Sequence, residues 1–184
     1  MTHSFLIGAG SLVAPLCFFL WAGATTAAAQ IDCSQRLPYS VGTPPVNQQH
    51  IFCGEVKDPR TNAKAHGFHS RPKGANPTTI TAIDGQRGTT ATQTKQAGIY
   101  RLNNFDITEG GVTRRKAFST MFPDACSQAN VIAAIEYAVA HGKGSTRRKT
   151  GPSGPSCQAS GNTPFDILID LDSLGRVHAA YPSF

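Results

Sequence analysis

The clearest hydrophobic pattern lies in residues 127–141, where apolar side chains recur every three or four positions. This spacing gathers the apolar residues into one stripe of a helix and predicts that the stripe packs against a sheet. Gly142 follows directly and is suited to end the helix. The stripe consists of Val131, Ile132, Ile135, Ala138 and Val139.

Other segments have the composition or alternation of strands. Residues 77–84 are β-branched and rich in threonine, and residues 99–107 contain isoleucine, tyrosine and phenylalanine. Residues 165–171 alternate between apolar and polar, residues 172–175 suit a turn, and residues 176–181 return as the second strand of a hairpin. Strands, a single clear helix and a terminal hairpin together predict an α+β fold with an antiparallel sheet.

Residues 142–161 are rich in glycine, proline and serine, which predicts a surface loop. The basic run Arg147-Arg148-Lys149 lies inside this segment. Such a run is usually a solvated part of a loop, but it also suits contact with a phosphate backbone. Both interpretations of the run stay open from the sequence.

The first 29 residues have the features of a signal peptide. An apolar run over residues 5–23 leads into small residues at 25–29, which suit cleavage before Gln30. The run is interrupted by glycine and proline, so a cleaved leader is favoured over a permanent transmembrane helix. The prediction is a secreted or periplasmic protein whose mature form has no membrane segment, although the leader lacks Lys and Arg near its start.

Removing 29 of the 184 residues leaves 155, a length that normally forms one domain with one modest core. Residues 30–46 are rich in turn formers and predict an extended N-terminal arm, and residues 47–184 form the predicted domain. We expect the domain to act as a monomer. Since residues 1–29 carry no charged side chain, the formal net charge of +6 belongs to the mature chain and favours polyanionic partners.

Four cysteines follow the leader, and an even number in an exported chain predicts two disulfides. Four cysteines allow three pairings, of which the one with the shorter loops is preferred, Cys33 with Cys53 and Cys126 with Cys157. A structural zinc site is the competing interpretation, but the chain has no Cys-x-x-Cys motif.

Three of the five histidines after the leader, His50, His66 and His69, fall in one short polar block, residues 50–70. RNA carries its own nucleophile, the 2'-hydroxyl, so two proton-transferring histidines and one lysine suffice to cleave it without a cofactor. Exposed or turn-capping histidines are the structural alternative. Zinc binding by the three is another, but no cysteine or clear carboxylate set accompanies them.

Four short motifs then carry a resemblance to a known family. They are HIFCGEV at 50–56, GFHS at 67–70, KAFSTMFPD at 116–124 and AYP at 180–182. In this order, with a helix directly after the third motif and a terminal hairpin that closes with the fourth, they resemble the bacterial EndoU nuclease domain. The resemblance implies the small α+β fold shared with barnase-like toxin nucleases, and cleavage of RNA 3' of uridine to a 2',3'-cyclic phosphate.

By that resemblance, His50 and His69 are the two catalytic histidines and Lys116 is the catalytic lysine. His69 is preferred to His66 because it follows a glycine and one apolar residue, as the family's second histidine does. The spacing between the two histidines is longer than expected, and residues 58–61 are interpreted as a small insertion. If that interpretation is wrong, His66 takes the place of His69.

The resemblance also assigns substrate contacts. Thr120 matches a hydroxyl that holds the uracil edge, with Ser119 as its substitute, and Tyr181 matches an aromatic that stacks on the base or sugar. Ala179 departs from the pattern, because many relatives have a hydroxyl there, so uridine preference follows less firmly than cleavage. Alternation along a strand would turn Lys116 into the cleft and Arg115 away from it.

Two other functions remain to be separated from a ribonuclease. A secreted binding module stabilised by two disulfides would keep its function when His50, His69 or Lys116 is changed. A toxin that acts on tRNA and is neutralised by an immunity protein is a biological role that the same nuclease chemistry would serve.

Overall fold

The computed structural model describes Met1 and residues 30–57, 64–83 and 98–183. Residues 2–29 of the predicted leader and the predicted insertion at 58–61 lie outside the described residues, as does Asp84 at the end of one predicted strand. Within the described part of the chain, no helix has the length and apolar content needed to cross a membrane.

The described elements are strands in three antiparallel sheets and one α-helix, with a π-helical turn, Gln49–Cys53, and a short 3-10 turn, Pro72–Gly74. The first sheet pairs β1 with β2, the second has the order β3-β4-β5, and the third has the order β6-β7-β8-β9. The bounds are β1 Glu55–Lys57, β2 Lys64–His66, β3 Ile80–Ile83, β4 Tyr100–Glu109, β5 Val112–Met121, α1 Gln128–His141, β6 Lys143–Gly144, β7 Arg148–Pro152, β8 Asp166–Leu171 and β9 Val177–Pro182. This arrangement confirms the predicted α+β fold.

Helix α1 matches the predicted helix. Ser127 is its N-cap, and the Ser127 hydroxyl accepts a hydrogen bond from the Asn130 backbone N–H at 3.2 Å. The buried side of the helix carries Val131, Ala134, Ile135 and Ala138. These side chains pack on the four-stranded sheet, as the apolar stripe predicts.

The segment expected to be a surface loop, residues 142–161, is instead partly strand, and the loop prediction is wrong. It contains β6 and β7, and β7 is the strand that lies against α1. A Cβ at Gly151 would lie 2.1 Å from the Ala138 carbonyl oxygen, so the glycine lets the strand approach the helix closely. In this segment glycine marks close packing, whereas composition alone suggested a flexible connection.

The three-stranded sheet is built on the long hairpin of β4 and β5, which turns at Gly110 and Gly111. Leu102 and Phe105 are both buried although they lie three positions apart in the strand. Asn104 between them has a φ of 49°, which turns the chain so that the side-chain alternation is reset.

Two separate apolar cores result. The larger core includes α1, the four-stranded sheet, the π-helical turn and the four cysteines Cys33, Cys53, Cys126 and Cys157. The smaller core lies under β4 and β5, and its buried members among the described residues are Phe68, Leu102, Phe105, Ile107 and Met121. We call the part around the larger core the helical half and the part around the smaller core the hairpin half.

Both disulfides lie in the helical half, and the preferred pairing is confirmed. Cys33 is bonded to Cys53, which ties residues 30–46 to the π-helical turn, and Cys126 is bonded to Cys157 beside the start of α1. Residues 30–46 also contact the last strand, since Val46 forms a parallel bridge with Val177. The predicted arm therefore lies against the helical half.

Candidate active site

His50 lies in the π-helical turn, with 5% of its surface exposed. Its backbone N–H donates to the Asn47 side-chain oxygen at 3.1 Å, and its ring Nδ1 donates to the Glu55 carboxylate at 3.1 Å. Gly54 joins the turn to β1 with a φ of 73°, where a Cβ would lie 2.6 Å from Ile107. Only glycine permits this tight return, which places Glu55 beneath the His50 ring.

Glu55 is almost completely buried, and its charge is matched by several partners. Arg36 Nη2 lies 2.8 Å from Glu55 Oε1, Lys57 Nζ lies 3.3 Å from Oε2, and Asn47 donates to Oε1 at 3.2 Å. Burial alone would raise the pKa of Glu55, but the hydrogen bond and charge of His50, with Lys57, hold it below its usual value. Glu55 therefore stays ionised and fixes a proton on His50 Nδ1.

Burial lowers the pKa of His50, because a charged imidazolium is disfavoured away from water. The hydrogen bond and the charge of Glu55 act in the opposite direction. Of the two predicted catalytic histidines, His50 is thus the one whose charged form is stabilised by a hydrogen-bonded carboxylate.

His69 reaches the same place by an irregular backbone. Gly67 and Phe68 have φ values of 72° and 58°, and a Cβ at Gly67 would lie 2.2 Å from the His50 carbonyl oxygen. The close approach brings the His50 and His69 ring centroids to 5.6 Å. His69 Nδ1 donates to the Thr120 carbonyl at 3.0 Å, which leaves Nε2 as its acceptor nitrogen.

The pKa of His69 lies well below its usual value, first because the ring is buried and then because Lys116 and His50 lie nearby. Its hydrogen-bond partner is a neutral carbonyl, so no negative charge opposes these effects as Glu55 does for His50. The two histidines are neighbours with different electrostatic surroundings.

Lys116 projects from β5 toward the same place, and its ammonium donates to the Gly67 carbonyl. Burial lowers its pKa from 10.5 to about 7. Arg115, the residue before it, is exposed and forms an ion pair with Asp106 at 2.5 Å. The two side chains thus differ as the strand alternation predicts, with Lys116 in the cleft and Arg115 paired outside it.

The three predicted substrate contacts lie beside these groups. Ser119 is buried and its hydroxyl donates to the Gly67 carbonyl at 2.9 Å. Thr120 follows it on β5 and is also nearly buried. Tyr181, on β9 of the opposite half, stacks on His69 with ring centroids 5.0 Å apart. Ala179 lines the cleft on the same strand and supplies no hydroxyl there.

All six predicted site residues line one cleft of about 440 Å³. It opens between β5 of the hairpin half and β9 of the helical half, with the two histidines at its base. Among its lining residues, Lys57 and Lys116 outnumber the carboxylate of Asp170, so the lining is basic. In the described part of the chain, no group of three His, Cys, Asp or Glu side chains is arranged to hold a metal ion.

His66, the alternative to His69, also lines the cleft but is placed differently. It lies on β2 opposite Glu55 in the strand register, and burial lowers its pKa. The ring in contact with both His50 and Tyr181 is that of His69.

Sequence reasoning missed three further groups of the cleft region, Glu55, Lys57 and His178. The His178 ring lies 5.5 Å from His50, and Lys57 donates to His178 Nε2 at 2.6 Å. Glu55 stands inside the HIFCGEV motif, so its proximity to His50 was the available signal. The pairing of Lys57 with His178 joins residues 121 positions apart and had no sequence signal.

Comparison with known proteins identifies the family of the chain. The family model for the bacterial EndoU nuclease matches residues 45–183. No curated protein and no solved structure matches the chain. Because the family match spans the strands, the helix and every residue of the cleft described above, the chain belongs to the bacterial EndoU nuclease family.

Proposed function

We propose that this nuclease cleaves single-stranded RNA on the 3' side of uridine by attack of the 2'-hydroxyl, leaving a 2',3'-cyclic phosphate. The observation that carries the proposal is the meeting of His50, His69 and Lys116, from three separate segments of the chain, in one cleft. Two proton-transferring groups and one cation are the set that this reaction requires.

His69 is the proposed general base. Its lowered pKa keeps the ring neutral, and Nδ1 already donates its proton to the Thr120 carbonyl, so Nε2 is free to accept a proton. In the reaction it removes the proton from the 2'-hydroxyl, whose oxygen then attacks phosphorus. The carbonyl fixes the tautomer that this role requires.

His50 is the proposed general acid. Its protonated form is stabilised by Glu55, and the negative charge of bound RNA favours that form further. It gives its proton to the 5'-oxygen as the bond between phosphorus and that oxygen breaks. Glu55 acts through His50 and orients the ring.

Lys116 is proposed to stabilise the pentacoordinate phosphorane. Its ammonium is held at the base of the cleft, where a positive charge interacts more strongly with developing negative charge than it would in water. The phosphodiester also favours the charged form of the lysine, because an anion nearby raises an amine's pKa.

Uracil is proposed to lie between Tyr181 and β5, with the Thr120 hydroxyl on its edge. Ser119 is already bonded to the Gly67 carbonyl, so Thr120 is the better candidate for the base contact. With alanine at 179, one possible hydroxyl contact is missing, and we expect a preference for uridine weaker than absolute.

We also propose that the chain is exported and that residues 1–29 are removed. Both disulfides support an oxidising compartment, since such bonds persist outside the cytosol. A toxin that cleaves tRNA and has an immunity protein is a role of the same reaction, and comparing tRNA with unstructured RNA as substrates tests it.

One assay tests the reaction itself. The disulfide-bonded protein is incubated with a labelled RNA that contains a single uridine, with and without EDTA. We expect one cut, 3' of the uridine, a cyclic-phosphate end, and the same rate with the chelator. A 3'-hydroxyl end, or complete inhibition by EDTA, would contradict the proposed mechanism, and an absence of cleavage would contradict the function.

A further inference from the structure

An aromatic side chain on the wall of the cleft has no part in the proposed reaction. Phe118 lies on β5 between Lys116 and Thr120, and all three residues line the cleft. It is 50% exposed, although burying a phenylalanine is worth about 2 kcal/mol. Single exposed apolar residues are ordinary on a surface. A large exposed ring inside a basic cleft is better explained by a ligand that covers it.

Arg101 holds this ring from the neighbouring strand. Its guanidinium carbon lies 4.8 Å from the centroid of the Phe118 ring, within the range of a cation–π contact. The strand register places Arg101 opposite Thr120, the proposed base contact. The arginine therefore fixes the ring and adds a positive charge beside it.

The combination of an exposed ring and nearby cations indicates the class of ligand. Lys57 and Lys116 also line the cleft, so a polyanion is attracted to it. Proteins that hold single-stranded nucleic acid combine a basic groove with aromatic side chains on which bases stack. An apolar protein partner would cover the ring but would not require the cations.

We propose that Phe118 is a stacking platform for the nucleobase next to the cleaved uridine. The inference rests on the proposed function, because it uses the uracil position between Tyr181 and Thr120. It adds a second base subsite, and so makes the enzyme sensitive to whether the nucleotide beside the uridine carries a base. Since stacking accepts any base, the subsite increases affinity without requiring a particular neighbour.

The test uses RNA in which one uridine has the only free 2'-hydroxyl. Three substrates are compared. The complete substrate has a base on every nucleotide, the second has an abasic nucleotide immediately 5' of the uridine, and the third has an abasic nucleotide immediately 3' of the uridine. The disulfide-bonded wild type is compared with Phe118→Ala and Phe118→Trp. Leu174→Ala is the matched control, because Leu174 is a large exposed side chain (75%) in the turn between β8 and β9.

On the complete substrate, we expect Phe118→Ala to lower kcat/KM by about 5-fold to 100-fold, mainly through KM. Phe118→Trp keeps an aromatic ring and should retain the wild-type kcat/KM, and Leu174→Ala should also have the wild-type kcat/KM. The wild type and Phe118→Ala should cleave one of the two abasic substrates equally, because that substrate lacks the base that stacks on Phe118. The position of its abasic nucleotide identifies the stacked neighbour.

Two cleavage results and one binding result would overturn the inference. Equal loss on all three substrates would mean that Phe118 shapes the cleft or contacts the uridine itself, and no loss on any would mean that nothing stacks on it. Binding of the 2'-deoxyuridine analogues, which cannot react, is measured alongside. A wild type that binds the analogue through Phe118 but cleaves no RNA would refute the proposed function and leave the subsite standing, whereas binding that is indifferent to Phe118→Ala would refute the subsite alone.

Discussion

The helical half and the hairpin half contribute different kinds of group to the cleft. The helical half has the larger core and both disulfides, and it supplies His50, with its carboxylate partner, and Tyr181. The hairpin half has, in the described part of the chain, a smaller core without a disulfide, and it supplies Lys116 and Thr120. A proton-transferring group is thus held by the more constrained half, and the cation and base contacts by the less constrained one.

His69 belongs to neither half alone. Its backbone N–H donates to the Ile51 carbonyl, its carbonyl accepts from the Phe122 N–H, and its ring donates to the Thr120 carbonyl. These bonds join the π-helical turn to the end of β5. The distance between the two histidines therefore depends on how the halves are docked, and the predictions below separate chemical from structural effects.

The largest effect should come from the histidines. His50→Ala and His69→Ala should each lower kcat for RNA cleavage by about 100-fold to 10,000-fold, because each removes a proton-transfer group. Circular dichroism should show both variants folded. His66→Ala is the control and should lose much less. If His66→Ala alone abolished activity, His66 and not His69 would be the second histidine.

The disulfides should have the next largest effect, on stability. Loss of either bridge, through Cys33→Ser with Cys53→Ser or through Cys126→Ser with Cys157→Ser, should lower the free energy of unfolding by about 2 to 5 kcal/mol. Denaturant unfolding of each double variant measures this. In the exported protein, Cys33, Cys53, Cys126 and Cys157 should show no free thiol, and detection of four reactive thiols would contradict the pairing described above.

Lys116→Ala should lower kcat by about 100-fold or more at saturating RNA, because it removes a charge that stabilises the phosphorane. Arg115→Ala is the matched control from the same basic run. It should mainly raise KM, and less so at high salt, because an exposed cation contributes to salt-sensitive binding. If Lys116→Ala kept the wild-type kcat and weakened binding only, the lysine would be a contact to the RNA backbone and not a catalytic residue.

A smaller change is expected in the pH dependence when Glu55 is altered. The carboxylate favours protonated His50, so Glu55→Gln should lower the His50 pKa and move the alkaline fall of kcat/KM to lower pH. The acidic limb of the same kcat/KM profile reports the protonation of His69, the proposed base, and should stay at the same pH. A shift of the acidic limb instead would reverse the proposed roles of the two histidines.

Local patterns in the sequence were sufficient to predict the helix, the terminal hairpin and the disulfide pairing. The stripe at Val131, Ile135 and Ala138 needs only helical periodicity. Gly151 was misinterpreted because glycine has the same composition signal in a flexible loop and in a strand pressed against a helix. The polar block at residues 50–70 also gave no sign that His50 and His69 are nearly buried, since their partners lie elsewhere in the chain.

Local sequence patterns could not predict the cleft, because it is assembled from residues far apart in the chain. Motif resemblance could place His50, His69 and Lys116 together, because a family pattern already encodes that proximity. It could not supply the contacts that are particular to this chain. Two such contacts are the ion pair of Arg36 with Glu55 and the hydrogen bond of Lys57 with His178. They depend on how the arm and the last strand fold back on the π-helical turn.

The half-buried ammonium of Lys116 also sets a limit on how stable this fold can be. Its pKa falls to about 7 on folding, so between about pH 7 and its ordinary 10.5 the unfolded chain binds more protons, and the native state gains stability as pH rises. Below pH 7 the full cost of burying the charge remains. Lys116→Met keeps much of the side-chain volume, and the Gly67 carbonyl keeps its hydrogen bond from Ser119. Such a variant should melt at a higher temperature than the wild type while it loses activity, which would identify the lysine as a residue kept for turnover at the expense of thermostability.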